Sequence, residues 1–241
     1  MGKGEEYIER RYRGVMEPEG FTCYEVALGE SDLYVCTVGD RSKTAKESLE
    51  IHRRELEEYL GKHLSFGTSF RPVPITSDAP DIVLDMGKAA EVFDVGPMAS
   101  VAGAIAQYVG TDLLHCSPEV IVENGGDIFL AGAGKRMVRI FSGGQASGLD
   151  VVVEMQPGGA GLCTSSATVG PSVSLGQSDA VTVFAPTATL ADAAASAIGN
   201  VVVTAEDIKP ALEWAREFDE IMGVVIVVEG SVGAWGEVEL T

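Results

Sequence analysis

Residues 178–200 read Ser178-Asp-Ala-Val-Thr-Val-Phe-Ala-Pro-Thr-Ala-Thr-Leu-Ala-Asp-Ala-Ala-Ala-Ser-Ala-Ile-Gly-Asn200, and the fold is decided there. Ala180 to Ala185 is an apolar, β-branched run, the pattern of a buried strand. Pro186 and Thr187 stop it, and Thr187 or Thr189 caps the helix that follows. That helix is nearly all alanine, so a partner backbone or a flat ligand can approach it closely. Past the cap, its polar side chains are Asp192 and Ser196, spaced i and i+4 and therefore on one face. A carboxylate and a hydroxyl at that spacing suit one hard cation, which prefers oxygen ligands. The plainer reading is a first-turn acid that suits the helix dipole, with a serine that only bonds a carbonyl.

Composition narrows the function classes. The chain has 241 residues, 46% hydrophobic and 22% charged, which is an ordinary globular balance and ample for one core. A net charge of −19 argues against a nucleic-acid partner, because nothing would neutralise a row of phosphates. The same charge repels a dinucleotide unless a divalent ion or helix N-termini screen it locally. No run approaches the length needed to cross a bilayer, and the charged stretch Met1 to Arg13 is no signal peptide. Cys23, Cys36, Cys116 and Cys163 show no metal spacing. They are expected to be reduced, in a cytoplasmic protein, with Cys23 and Cys36 as small buried thiols.

Along the chain, residues 1–20 form a polar lead-in. Phe21 to Leu28 and Leu33 to Val38 alternate as a hairpin around Gly29–Asp32. Asp40 or Ser42 caps a helix to about Gly61 whose basic residues face solvent among glutamates; a patch for an anionic ligand is the sharper alternative. Residues 64–80, rich in proline and hydroxyls, read as a loop. Helices follow over Pro80–Phe93 and Met98–Val109, the second ended by Gly110. Strands are expected at 119–123, 127–131, 136–141, 150–155 and 161–166. After the 178–200 unit come a helix over 206–218 and strands at 224–228 and 234–240, the last an edge strand with Trp235 packed down. The class is α+β, a single domain with mixed or antiparallel sheets covered by helices, and two intertwined, related halves are one way to build it.

Ala180 to Ala197 resembles the strand–helix signature of the ApbE family of magnesium-dependent flavin transferases, roughly Val-Thr-Val-x-Ala-Pro-x-x-x-x-Ala-Asp-Ala-x-Ala-Thr-Ala. The resemblance puts Asp192 on the family's metal-binding Asp and Ser196 on its metal-binding Thr, with the hydroxyl kept. Val122 to Ile128, containing Asn124, Gly125, Gly126 and Asp127, resembles the segment that lines the flavin site. Asp94 to Ser100 is similar to the family's Asp-Leu-Gly-Gly-Ile-Ala-Lys run, and implies the Ala99 carbonyl as a third metal ligand with Gly96, Met98 and Ser100 beside the cofactor. Ser100 stands where the family has lysine, and Pro97 where it has glycine. Cys163 to Ser166 resembles a Thr-Ser-Gly segment, which implicates Thr164, Ser165 and Ser166. Val169 to Gly176 lacks the family's His and Asp-Pro. The resemblance is strongest over residues 94–200, and the closer likeness is to short, cytoplasmic ApbE-like proteins.

The resemblance implies an ApbE-like fold and Mg²⁺-dependent binding of FAD, with FMN passing to a Thr or Ser of an acceptor flavoprotein, or to water. A homodimer is compatible with it. Two further readings stay open: a non-catalytic flavin or nucleotide binder, and a binder of another small phosphorylated ligand. Other templates fail. There is no Gly-x-Gly-x-x-Gly after a first strand and no Walker loop, and His52, His63 and His115 sit in no metal motif.

Overall fold

The computed structural model describes residues 18–141, 148–166 and 176–241. The lead-in over 1–17 and the segment 169–175 that lacks His and Asp-Pro lie outside the described residues. Eleven strands and six α-helices are described: β1 (Thr22–Leu28), β2 (Ser31–Thr37), α1 (Ser42–Lys62), α2 (Leu64–Thr68), α3 (Asp81–Phe93), α4 (Val101–Leu114), β3 (Val120–Asn124), β4 (Asp127–Ala131), β5 (Lys135–Phe141), β6 (Gly148–Glu154), β7 (Ala160–Ser165), β8 (Ala180–Ala185), α5 (Ala188–Val201), α6 (Ile208–Ala215), β9 (Gly223–Val228), β10 (Ser231–Gly236) and β11 (Glu239–Leu240).

Eight strands form one sheet in the order β1-β2-β3-β4-β7-β8-β9-β10, and β11-β6-β5 form a second. Each neighbouring pair of strands is antiparallel. The large sheet is the middle of three layers. On one face, Val35, Val122, Val183 and Ile226 pack with the helices. On the other, Leu130, Leu162, Phe184 and Val225 meet Ile140, Val151 and Val153 of the small sheet. This explains why β8 is apolar but for Thr182 and why all six of its residues are buried, since both faces are covered. Each half of the large sheet has two antiparallel strand pairs with helices between them: β1-β2, α1 to α4, β3-β4, then β7-β8, α5 and α6, β9-β10.

Local chemistry sets the ends of α5. The Thr187 hydroxyl accepts the Leu190 N–H at 3.1 Å, so Thr187 is the cap, and Thr189 turns its own hydroxyl to Gln107. The exposed face of α1 carries the Lys43–Glu47 pair, the solvated arrangement its glutamates suggest, while the less exposed Arg53 reaches Glu57 and Ser31.

Several expectations change. Cys23 and Cys36 are joined in a disulfide rather than reduced. The β1–β2 register places them directly opposite each other, with Cα atoms 4.1 Å apart. Helix α4 does not end at Gly110 but runs on to Leu114. A Cβ at Gly110 would stand 2.1 Å from the Phe129 ring, so this glycine admits an aromatic neighbour instead of stopping the helix. The helix over 98–109 starts later, behind a 3-10 turn at Pro97–Ser100. Residues 64–80 include α2, and α6 is shorter than 206–218, preceded by a 3-10 turn at Ala205–Asp207. The strand foreseen at 234–240 is split: β10 edges the large sheet and β11 joins the small one. Among the described residues, no single helix is long and apolar enough to cross a membrane.

Candidate functional site

The site is built where α4 and α5 cross. Gly103 of α4 lies so close to α5 that a Cβ there would come within 2.3 Å of the Ala188 carbonyl oxygen and 2.7 Å of the Asp192 Cβ. At that distance the Asp192 carboxylate reaches the amino end of α4 and accepts the Gly103 N–H at 2.9 Å. The Ala102 N–H also bonds it. Asp192 therefore caps a neighbouring helix, since Ser100, at the capping position of α4, makes no side-chain bond there. It is not a first-turn acid of its own helix, which starts at Ala188 and has no acidic residue in its first turn.

One turn further along α5, the Ser196 hydroxyl donates to the Ala99 carbonyl at 3.2 Å. The oxygens of Asp192, Ser196 and Ala99 thus gather along one face of α5 at the start of α4. The β3–β4 hairpin brings a second carboxylate. Gly125 and Gly126, at φ 70 and 107, form the turn in a conformation that suits glycine, and the Gly126 N–H is held by the Glu123 carboxylate at 2.8 Å. Asp127 follows, its carboxylate accepting the Thr164 N–H at 3.2 Å.

Asp127 and Asp192 are both nearly buried, 7% and 9% exposed. Burial raises the Asp192 carboxyl to about 7, against the pull of the Ala102 and Gly103 N–H groups. Asp127 is also raised well above the usual carboxylate range, first by burial and then by the charge of Asp192. Neither carboxylate is salt-bridged among the described residues. Beside Asp127, burial pushes the Cys163 thiol up as well, with Asp127 adding to the effect.

Both aspartates open on a cleft of about 1140 Å³. Gly96, Met98, Ala99 and Ser196 line it too, so six of the sequence-derived site residues share one wall. The other candidates lie behind that wall. Asn124 donates to the Ala102 carbonyl at 3.1 Å, and Gly125 and Gly126 turn the hairpin. Ser100 is 1% exposed, with its hydroxyl on the Pro97 carbonyl at 3.0 Å. Thr164 bonds Thr182 across the sheet at 2.8 Å, and Ser166 donates to the Asp179 carbonyl at 2.7 Å. Ser165 packs under Gly199. The sequence reading missed the rest of the lining, Gly67–Arg71 with Phe93, Pro210 and Trp214. The proline- and serine-rich composition of 64–80 was the available signal, and it named no task.

The donor set tests the fit for a metal. Oxygens alone are offered, which suits a hard cation. Among the described residues, no group of three or more His, Cys, Asp and Glu side chains is assembled for a metal. Two carboxylates, a hydroxyl and a carbonyl therefore leave coordination positions to a ligand or water, as Mg²⁺ sites that share substrate phosphates do.

A family profile described as "AbpE bacteria" matches residues 14–234. The chain belongs to that family. This ApbE-like protein is 43% identical over 203 residues to a UPF0280 protein of Methanocaldococcus jannaschii, covering 81% of this chain and 82% of the other. It is 36% identical over 199 residues to a UPF0280 protein of Methanosarcina barkeri, covering 81% and 79%. Among solved structures, the flavin transferase ApbE from Vibrio cholerae superposes with a TM-score of 0.57 at 13% identity, over 90% of this chain and 97% of that one. The ApbE protein from Thermotoga maritima gives 0.58 at 11% identity, over 88% and 96%. At those identities the likeness is one of fold, and the ApbE-like protein shares its α+β layers with both.

Proposed function

We propose that this ApbE-like protein binds FAD together with Mg²⁺ and passes FMN to a Thr or Ser of an acceptor flavoprotein, or to water. The observation that carries the reading is the convergence of Asp192, Ser196 and the Ala99 carbonyl, with Asp127 beside them, on one wall of a cleft of about 1140 Å³. That volume suits a dinucleotide better than a small metabolite. Asp192, Ser196 and the Ala99 carbonyl would hold the ion, with Asp127 close by. When bound, Mg²⁺ supplies Lewis acidity at the pyrophosphate. The protein's own part is positional. Asp192 is fixed by the amino end of α4 and Asp127 by the Thr164 N–H, and Phe93 and Trp214 give the cleft an apolar lining. The attacking hydroxyl would come from the partner, so no nucleophile is assigned to this chain.

A non-catalytic binder is the second reading, and Ser100 favours it: the side chain is buried and spent on Pro97, so it offers nothing to a phosphate. A different small phosphorylated ligand is the third. Incubation of the purified protein with FAD and Mg²⁺, with AMP followed by chromatography, separates them. AMP release that stops with EDTA supports the first reading. Bound flavin without AMP supports the second. Neither flavin binding nor AMP release leaves the third.

A further inference from the structure

The cleft is a difficult place for a phosphate. Among the described residues that line it, four are aspartates (Asp94, Asp127, Asp192 and Asp207) and one, Arg71, is basic. The chain as a whole carries −19. A cation held by Asp192 answers part of a pyrophosphate's charge, and a second positive group in the lining is needed to hold the remainder.

Arg71 is built into that lining. Its backbone is pinned on both sides by Ser69, whose hydroxyl accepts the Arg71 N–H at 3.0 Å and donates to the Arg71 carbonyl at 2.7 Å. The loop is in turn seated on the turn that precedes Ala99, since a Cβ at Gly96 would stand 1.9 Å from the Ser69 carbonyl oxygen. Only glycine allows that contact. Nη1 of Arg71 donates to the Asp94 carboxylate and, at 3.4 Å, to the Asp94 carbonyl. Asp94 closes α3 in the left-handed conformation, at φ 54, which aims it at the loop.

The two side chains are 72% and 71% exposed, so this ion pair contributes little to stability and gives way readily. Among the described residues, Nε and Nη2 of Arg71 make no hydrogen bond. A guanidinium with that edge open matches two phosphate oxygens at once.

We infer that Arg71 is the phosphate-binding residue of this cleft, its backbone kept in place by the Ser69 clamp and its side chain released from Asp94 to the ligand. The inference rests on the reading of the ligand as a dinucleotide. It assigns to the 67–71 loop the recognition of the pyrophosphate.

The test compares the full chain with Arg71→Ala and Arg71→Lys, in Mg²⁺, by calorimetric titration with FAD, ADP and riboflavin. Circular dichroism and thermal melts check that the variants are folded, as expected for an exposed side chain. Losing a charged hydrogen-bonding partner weakens binding about 10- to 100-fold. We expect that loss for FAD and ADP in Arg71→Ala and a smaller loss in Arg71→Lys, which keeps the charge without the fork. Riboflavin has no phosphate, and its binding should not change. Wild-type affinity for FAD in Arg71→Ala overturns the inference and leaves the flavin reading standing. Binding of ADP but no flavin, with the Arg71 dependence intact, overturns the flavin reading and keeps the phosphate site. A wild-type chain that takes up none of the phosphate-bearing probes overturns both.

Discussion

Burial raises Asp192 to about 7, above an unfolded carboxylate at about 3.9. Between those values the folded, metal-free chain holds more protons than the unfolded one, so its stability falls as pH rises through that window. Above it, the ionised carboxylate remains a cost that a bound cation removes. Urea denaturation in EDTA should therefore show lower stability at pH 8 than at pH 5, and added Mg²⁺ should recover it. Asp192→Asn should weaken the pH dependence, leaving the part that burial of Asp127 supplies, and abolish the Mg²⁺ effect, because the amide oxygen still accepts the Gly103 N–H but carries no charge. If the variant kept a full response to Mg²⁺, Asp192 would not be a ligand. Ser196 and Ala99 bond each other directly, so a cation must compete with that contact.

At the scale of elements, the packing of α4 on α5 fixes the site. Gly103→Ala would place a methyl 2.3 Å from the Ala188 carbonyl oxygen, and overpacking of this kind costs about 1–3 kcal/mol. Equilibrium denaturation should show that loss together with weaker Mg²⁺ binding, because the helices must part and carry Asp192 with them. Thr187→Ala removes the cap of α5 and should cost about 1 kcal/mol with no change in metal response at saturating Mg²⁺. The β8–α5 unit was legible in the sequence because its signals are local: an apolar run, a proline, a capping threonine and an i, i+4 pair. The same holds for the Asn124–Asp127 turn. What escaped the reading depends on contacts distant in the chain. Gly110 carries the mark of a helix terminator, yet it makes room for Phe129. Arg71 and Ser69 have no motif, and their place in the cleft follows from a glycine 25 residues beyond the arginine. The hydrogen bonds of Ser100 to Pro97 and of Thr164 to Thr182 were not legible for a similar reason, since backbone direction decides what a hydroxyl faces.

The molecule as a whole is a helical layer and a small sheet on opposite faces of one large sheet, with β1 and β10 at its edges. The Cys23–Cys36 bond staples the β1 edge, and spacing alone could not reveal it because it depends on register. Closing a loop with a sequence separation of 13 contributes about 3 kcal/mol by the chain-entropy account. Thermal melts with and without reductant should differ accordingly, and Cys23→Ser should lower the melt and remove the reductant's effect. The two halves meet at the bond from the Gly103 N–H to Asp192, with one atom of that contact supplied by each half. Cleavage at the exposed Ala133–Gly134 turn would leave one fragment with a helix end lacking its anion and the other with a carboxylate lacking its donors. Neither piece owns a binding site, so uptake of Mg²⁺ would report that severed fragments had found each other again.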